Sequence, residues 1–132
     1  MNQPVNQQSV VVDPPDADAA AAASLRHPEA NGILTVDLDA IAANWRLLES
    51  KGVPAECAAV VKADAYGCGL TPVTRALSNA GCKTFFVATI DEARTVRAAA
   101  PNAIIYVLDG FFSHTGRAFV EIGCRPVIGD IG

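Results

Sequence analysis

The chain has 132 residues, 51% of them hydrophobic and 18% charged, with a formal net charge of −4. That composition suits one soluble α/β domain with a real core and excludes an intrinsically disordered chain. It offers no basic stripe for nucleic acid or an anionic membrane, and no run long and apolar enough to cross a bilayer.

Residues 1–30 mix Gln, Asn, Pro and Asp with an alanine run from Ala19 to Ala23, and they hold four acidic groups against Arg26 alone. With few large side chains to bury, this stretch is expected to be a disordered tail. Asp13 and Pro14-Pro15 interrupt Val10-Val11-Val12, and no basic segment precedes them, so a secretory signal is not expected. From residue 31 extended and helical patterns alternate, as in a parallel α/β protein. Ile33 to Leu38 predicts a strand. Asp39 is the expected cap of the next helix, which places Ile41, Trp45 and Leu48 on one face and ends at Gly52 and Pro54.

Glu56 to Lys62 predicts a second strand. Thr71-Pro72 then starts a helix with a hydroxyl cap, turns Val73, Leu77 and Ala80 inward, and stops at Gly81. Thr84 to Ala88 predicts another strand, and Thr89 to Glu92 has capping-box spacing for a helix reaching about Ala100, before Pro101. Ala103 to Leu108 is again extended. Ser113 is the expected cap of a helix to Ile122, Gly123 ends it, and Arg125 to Ile128 begins one more strand. The units are spaced like the βα repeats of a barrel. A (β/α)8 TIM-type barrel takes about 250 residues. Residues 31–132 therefore predict a partial barrel, roughly its first half, with open strand edges.

Cys57, Cys68, Cys82 and Cys124 form no Cys-x-x-Cys pair, so no metal site is expected, and free thiols suit a reducing cytoplasm. The stretch that points to chemistry is Val60-Val61-Lys62-Ala63-Asp64-Ala65-Tyr66-Gly67. A β-branched run leads to one lysine, and a turn of small residues with a tyrosine follows. An amine at the carboxyl end of an apolar strand stands where barrels and open α/β sheets bind ligands. Apolar surroundings disfavour an ammonium and favour the free amine, the form that attacks a carbonyl. The ordinary alternative is a lysine that simply reaches to water. Strand alternation puts Val60 on the face of Lys62, and the Tyr66 phenol is a hydrogen-bond donor four residues on. Asp64 reads as an orienter of the turn. His27 and His114 have no partner in any motif, and Gly67-Cys68-Gly69 lacks a nucleotide-binding signature.

Val60 to Leu70 resembles the lysine motif of alanine racemases, V-V-K-A-D-A-Y-G-H-G, with Cys68 where that family commonly has histidine. Val36-Asp37-Leu38-Asp39-Ala40-Ile41, with Asn44, resembles the family's opening segment. Phe86-Val87-Ala88-Thr89, with Asp91-Glu92-Ala93, resembles its next strand and helix start, and Ile104 to Leu108 the strand after that. The likeness runs from about residue 33 to the end. It implies interconversion of L- and D-alanine through a Schiff base of pyridoxal 5′-phosphate on Lys62, with D-alanine serving peptidoglycan synthesis. It also implies that Tyr66 contacts the cofactor phosphate, that Val60 and Leu108 contact the pyridoxal ring, and that the enzyme is a homodimer. The second face of the substrate would be served by a tyrosine in the carboxy-terminal domain of the partner subunit. That tyrosine and later cofactor contacts are not in this sequence, so the chain alone is expected to be an inactive amino-terminal piece. Two other readings stay open: a pyridoxal-phosphate barrel racemase or decarboxylase acting on another amino acid, and a non-catalytic cofactor-binding or interaction module.

Overall fold

The computed structural model describes residues 9–12 and 33–129. In chain order these form β1 (Ser9–Val12), β2 (Ile33–Val36), α1 (Leu38–Gly52), β3 (Ala59–Val60), a helical turn (Lys62–Tyr66), α2 (Leu70–Ala80), β4 (Thr84–Val87), α3 (Ile90–Ala99), β5 (Ile104–Val107), a 3-10 turn (Ser113–Thr115), α4 (Gly116–Ile122) and β6 (Arg125–Pro126). Strands β3, β4, β5 and β6 make one sheet in that order, every pair parallel. Parallel neighbours need a crossover between them. Here α2, α3 and α4 each supply one, the expected arrangement of consecutive βα units in a partial barrel. Within the stretch expected to be disordered, Ser9–Val12 pairs in parallel with β2; the rest of residues 1–30 lies outside the described residues.

Alternation along the strands separates two faces. Phe85, Val87, Ile105 and Val107 are essentially sealed, and they share a core with Val73 and Leu77 of α2, Ala93 and Val96 of α3, and Phe119 and Ile122 of α4. The other face is more open. Its cross-strand row is Val60, Phe86, Tyr106 and Arg125. The Phe86 and Tyr106 rings stack with centroids 4.9 Å apart. The Arg125 guanidinium lies 5.5 Å from the Tyr106 ring centroid and donates to its hydroxyl oxygen at 2.9 Å. An aromatic and cationic stripe thus lines the face that leads to the strand ends.

Several boundaries differ from expectation. β2 ends at Val36, so the cap of α1 is Asp37 rather than Asp39, with Oδ1 accepting the Ala40 N–H at 2.9 Å. Trp45 is buried and donates from Nε1 to the Cys57 carbonyl at 3.0 Å, but Leu48 is exposed. Ser113 caps nothing. Thr115 closes the 3-10 turn instead, its hydroxyl donating to the Phe112 carbonyl at 2.7 Å, and α4 begins only at Gly116. Gly81 and Gly123 end α2 and α4 in left-handed geometry, as expected. Arg97, in α3, ties the end of α4 to the turn that follows α3. Its guanidinium donates to the carbonyls of Pro101, Ala103, Ile122 and Gly123 at 2.7–3.0 Å, a fork that lysine cannot reproduce.

Candidate active site

β3 is shorter than the sequence predicts. The last ladder bond is Val61 N–H to the Phe86 carbonyl at 2.9 Å, and Val61 already has φ −122° and ψ 20°. Lys62 therefore opens a turn instead of ending a strand, and the alternation that would put it on the face of Val60 stops at Val61.

The turn is left-handed. Ala63, Asp64, Ala65 and Tyr66 all have φ between +53° and +56°. A side chain in that region costs roughly 1–2 kcal/mol per residue, because Cβ crowds the following carbonyl. The surroundings hold this strain in place. The Ala65 N–H donates to the Val61 carbonyl at 2.9 Å, and the Ala65 side chain is buried in the core. The Gly67 N–H reaches the Ala63 carbonyl at 3.0 Å, and Gly67 and Gly69, at φ +83° and +92°, return the chain toward α2. Asp64 Oδ1 accepts the Leu70 N–H at 2.6 Å, which starts α2 earlier than the expected Thr71-Pro72 cap. Glu92 Oε1 accepts the Ala63 N–H at 2.7 Å. Strained segments persist only where neighbours over-determine them, and they concentrate at functional sites.

Lys62 is half-buried, whereas Lys51 and Lys83 are exposed. Tyr66, on the same turn, is 63% exposed, and its hydroxyl has no hydrogen-bond partner among the described residues. Val60 lies on the open face of the sheet at 46% exposure. Leu108 is 38% exposed just past β5, with its N–H on the Val87 carbonyl at 2.9 Å. Lys62 and Leu108 thus follow the carboxyl ends of two strands in one parallel sheet, with β4 between them. The donor set is a primary amine, an unpaired phenol and apolar side chains. Such a set fits an aromatic aldehyde that carries a phosphate: amine for carbonyl, phenol for phosphate, apolar surface for ring.

His114 is exposed and stacks with Phe112, ring centroids 5.9 Å apart, while His27 lies outside the described residues. Asp64 is engaged with the backbone, as its orienting role required. Glu92 is the residue whose reach the sequence did not reveal. The capping box with Thr89 is present, but the second carboxylate oxygen spends its bond on Ala63, 29 residues earlier. Capping-box spacing was the only signal, and it names no distant partner.

The four cysteines are free, Cys57 and Cys68 half-buried, Cys82 and Cys124 buried. Burial pushes the Cys82 thiol up to about 11 from 9.0, against hydrogen bonding that pulls it down. The folded state therefore prefers the neutral thiol more than the unfolded chain does. That contribution is complete below pH 9 and disappears as pH rises toward 11. The urea midpoint should fall across that window, and Cys82→Ala should shallow the fall; an identical slope in the variant would contradict the assignment.

Residues 36–132 match the family described as alanine racemase, N-terminal domain. Over 96 residues the chain is 55% identical to the alanine racemase of Methylobacterium nodulans, covering 73% of this chain and 26% of that protein. Over 95 residues it is 45% identical to the biosynthetic alanine racemase of Agrobacterium fabrum, covering 72% and 24%. The crystal structure of alanine racemase from Bartonella henselae with covalently bound pyridoxal phosphate aligns with a TM-score of 0.66 at 44% identity, over 69% of this chain and 26% of that one. The biosynthetic alanine racemase from Pseudomonas aeruginosa gives 0.63 at 36% identity, over 67% and 25%. The chain spans about a quarter of the length of the curated relatives it matches.

Proposed function

We propose that this chain, which belongs to the alanine racemase N-terminal domain family, is the cofactor-carrying part of an enzyme that interconverts L- and D-alanine. The observation that carries this reading is a half-buried lysine at the head of a strained left-handed turn, at the carboxyl end of a parallel sheet. Inverting alanine requires removing its α-proton from one face and returning a proton to the other. When bound, pyridoxal phosphate supplies an aldehyde for an amine and an electron sink for the departing proton's bonding pair. Lys62 Nζ holds the cofactor and then holds and moves the α-proton on one face. The Tyr66 hydroxyl donates a hydrogen bond to the phosphate. Val60 and Leu108 flank the ring and keep water from it.

The opposite face needs a second proton carrier. In this reading it is a tyrosine from the carboxy-terminal domain of the partner subunit, which makes the working enzyme a homodimer, and the D-alanine formed supplies peptidoglycan synthesis in the cytoplasm. Among the described residues no helix is long and apolar enough to cross a membrane.

Substrate class is tested by protection. Borohydride fixes the pyridoxyl group on whichever lysine carries it. L- or D-alanine added beforehand is expected to lower labelling of Lys62, and a bulky amino acid such as phenylalanine to leave it unchanged. Equal protection by every amino acid, or better protection by a larger one, would remove alanine as the substrate.

A further inference from the structure

Capping α3 requires Glu92 only to satisfy N–H groups at its own helix terminus. Its Oε2 does so, accepting from Ala88 at 2.8 Å and from Thr89 at 3.3 Å. Its Oε1 does something else: it accepts the Ala63 N–H at 2.7 Å, the shortest of the three bonds. Ala63 directly follows Lys62 and is the first left-handed residue of the turn, at φ +53°. Ala88 directly follows β4, the strand whose Phe86 carbonyl takes the last ladder bond from β3. One carboxylate therefore bridges the turn that bears the lysine and the end of the adjacent strand. Charge-assisted bonds of this kind are about twice as strong as neutral ones.

A turn of four left-handed non-glycine residues has no local preference for that hand. If the Ala63 N–H lost its acceptor, the first residue would be free to relax, and the Lys62 backbone would relax with it. We infer that Glu92 is a positioning residue for Lys62: it touches no reacting atom, but by clamping Ala63 to the end of β4 it fixes where the amine stands relative to the sheet. This inference rests on the reading that Lys62 takes pyridoxal phosphate. It adds that the amine's reactivity depends on a carboxylate in another βα unit.

The test compares Glu92→Gln with Thr89→Ala. Glutamine keeps one acceptor oxygen but turns an NH2 toward the other N–H set, so the bridge cannot be completed. Thr89→Ala removes the hydroxyl that accepts the Glu92 N–H at 3.3 Å, weakening the same helix terminus without touching the turn. Two readouts are taken on the full chain: hydrogen exchange of the Ala63 amide, which needs no cofactor, and the ratio of borohydride-fixed pyridoxyl on Lys62 to that on Lys83. Glu92→Gln is expected to speed Ala63 exchange and to lower the Lys62:Lys83 ratio, each about tenfold, the loss of one charge-assisted bond. Thr89→Ala should leave both within about twofold even where it lowers the melting temperature.

Glu92→Asp, one methylene too short to span both sites, should follow the glutamine variant and carries the comparison if that variant does not fold. An unchanged ratio in the Glu92 variants, or an equal drop in Thr89→Ala, overturns the positioning role alone. No preference for Lys62 in the unsubstituted chain overturns the cofactor reading, and this inference falls with it.

Discussion

Lys62→Ala is expected to abolish site-specific attachment of pyridoxal phosphate, while Lys51→Ala and Lys83→Ala leave it intact. The chain has only these three lysines, and the α-amino group is the other primary amine that peptide mapping must separate from them. An aldehyde reacts with the free amine, and alanine has none to offer. Lys62→Arg should fail as completely, because a guanidinium keeps its charge at any working pH and is no nucleophile. Loss of a positioned nucleophile and base costs on the order of 10²-fold or more, so residual labelling at Lys51 and Lys83 sets the floor. Intact-mass measurement after borohydride reads the result, and circular dichroism checks the fold. A Lys62→Ala variant labelled as efficiently as the unsubstituted chain would end the assignment.

Phe85→Ala is expected to be the most damaging single change to stability. Phe85 is fully buried at the centre of the sheet, on the face packed by the helices. Emptying such a site costs about 3–5 kcal/mol through lost transfer energy and the cavity left behind. Domains of this size have about 5–15 kcal/mol in all, so at least about a fifth of the total is at stake. Phe86→Ala, one residue on but facing the open side, loses the stack with Tyr106 and partial burial only. It should cost clearly less. Urea midpoints at unchanged slope measure both. Equal losses would mean that the two faces of the sheet are equally buried, contrary to the alternation described.

The order of strands and helices was readable because each element carries its own signals. The Thr89–Glu92 capping box, Gly81 and Gly123 as helix stops, and the inward Val73 and Leu77 are local chemistry, and the structure keeps them. Where two local answers competed, tertiary context chose. Asp37 and Asp39 can both cap α1, and the end of β2 at Val36 selected the first. Leu48 shares the helical spacing of Ile41 and Trp45, yet it is exposed.

The candidate site was legible as a set of residue types and not as a shape. Lys62 and Tyr66 stood out in the motif, yet nothing in Ala63-Asp64-Ala65-Tyr66 announces a left-handed turn, since none of the four is glycine. That hand goes with bonds to residues beyond the four: Asp64 accepts the Leu70 N–H and Glu92 the Ala63 N–H. A bond spanning 29 residues has no local signature. For the same reason the strand was expected to run on to Lys62, when the chain leaves extended geometry at Val61.

Peptide mapping of the unsubstituted chain after borohydride, with pyridoxal phosphate limiting, tests the role of Lys62 most directly. Lys51 and Lys83 are the more exposed amines, so indiscriminate chemistry would favour them. Label concentrated on Lys62 is the expected result. Label spread over the three lysines in proportion to their exposure would contradict it.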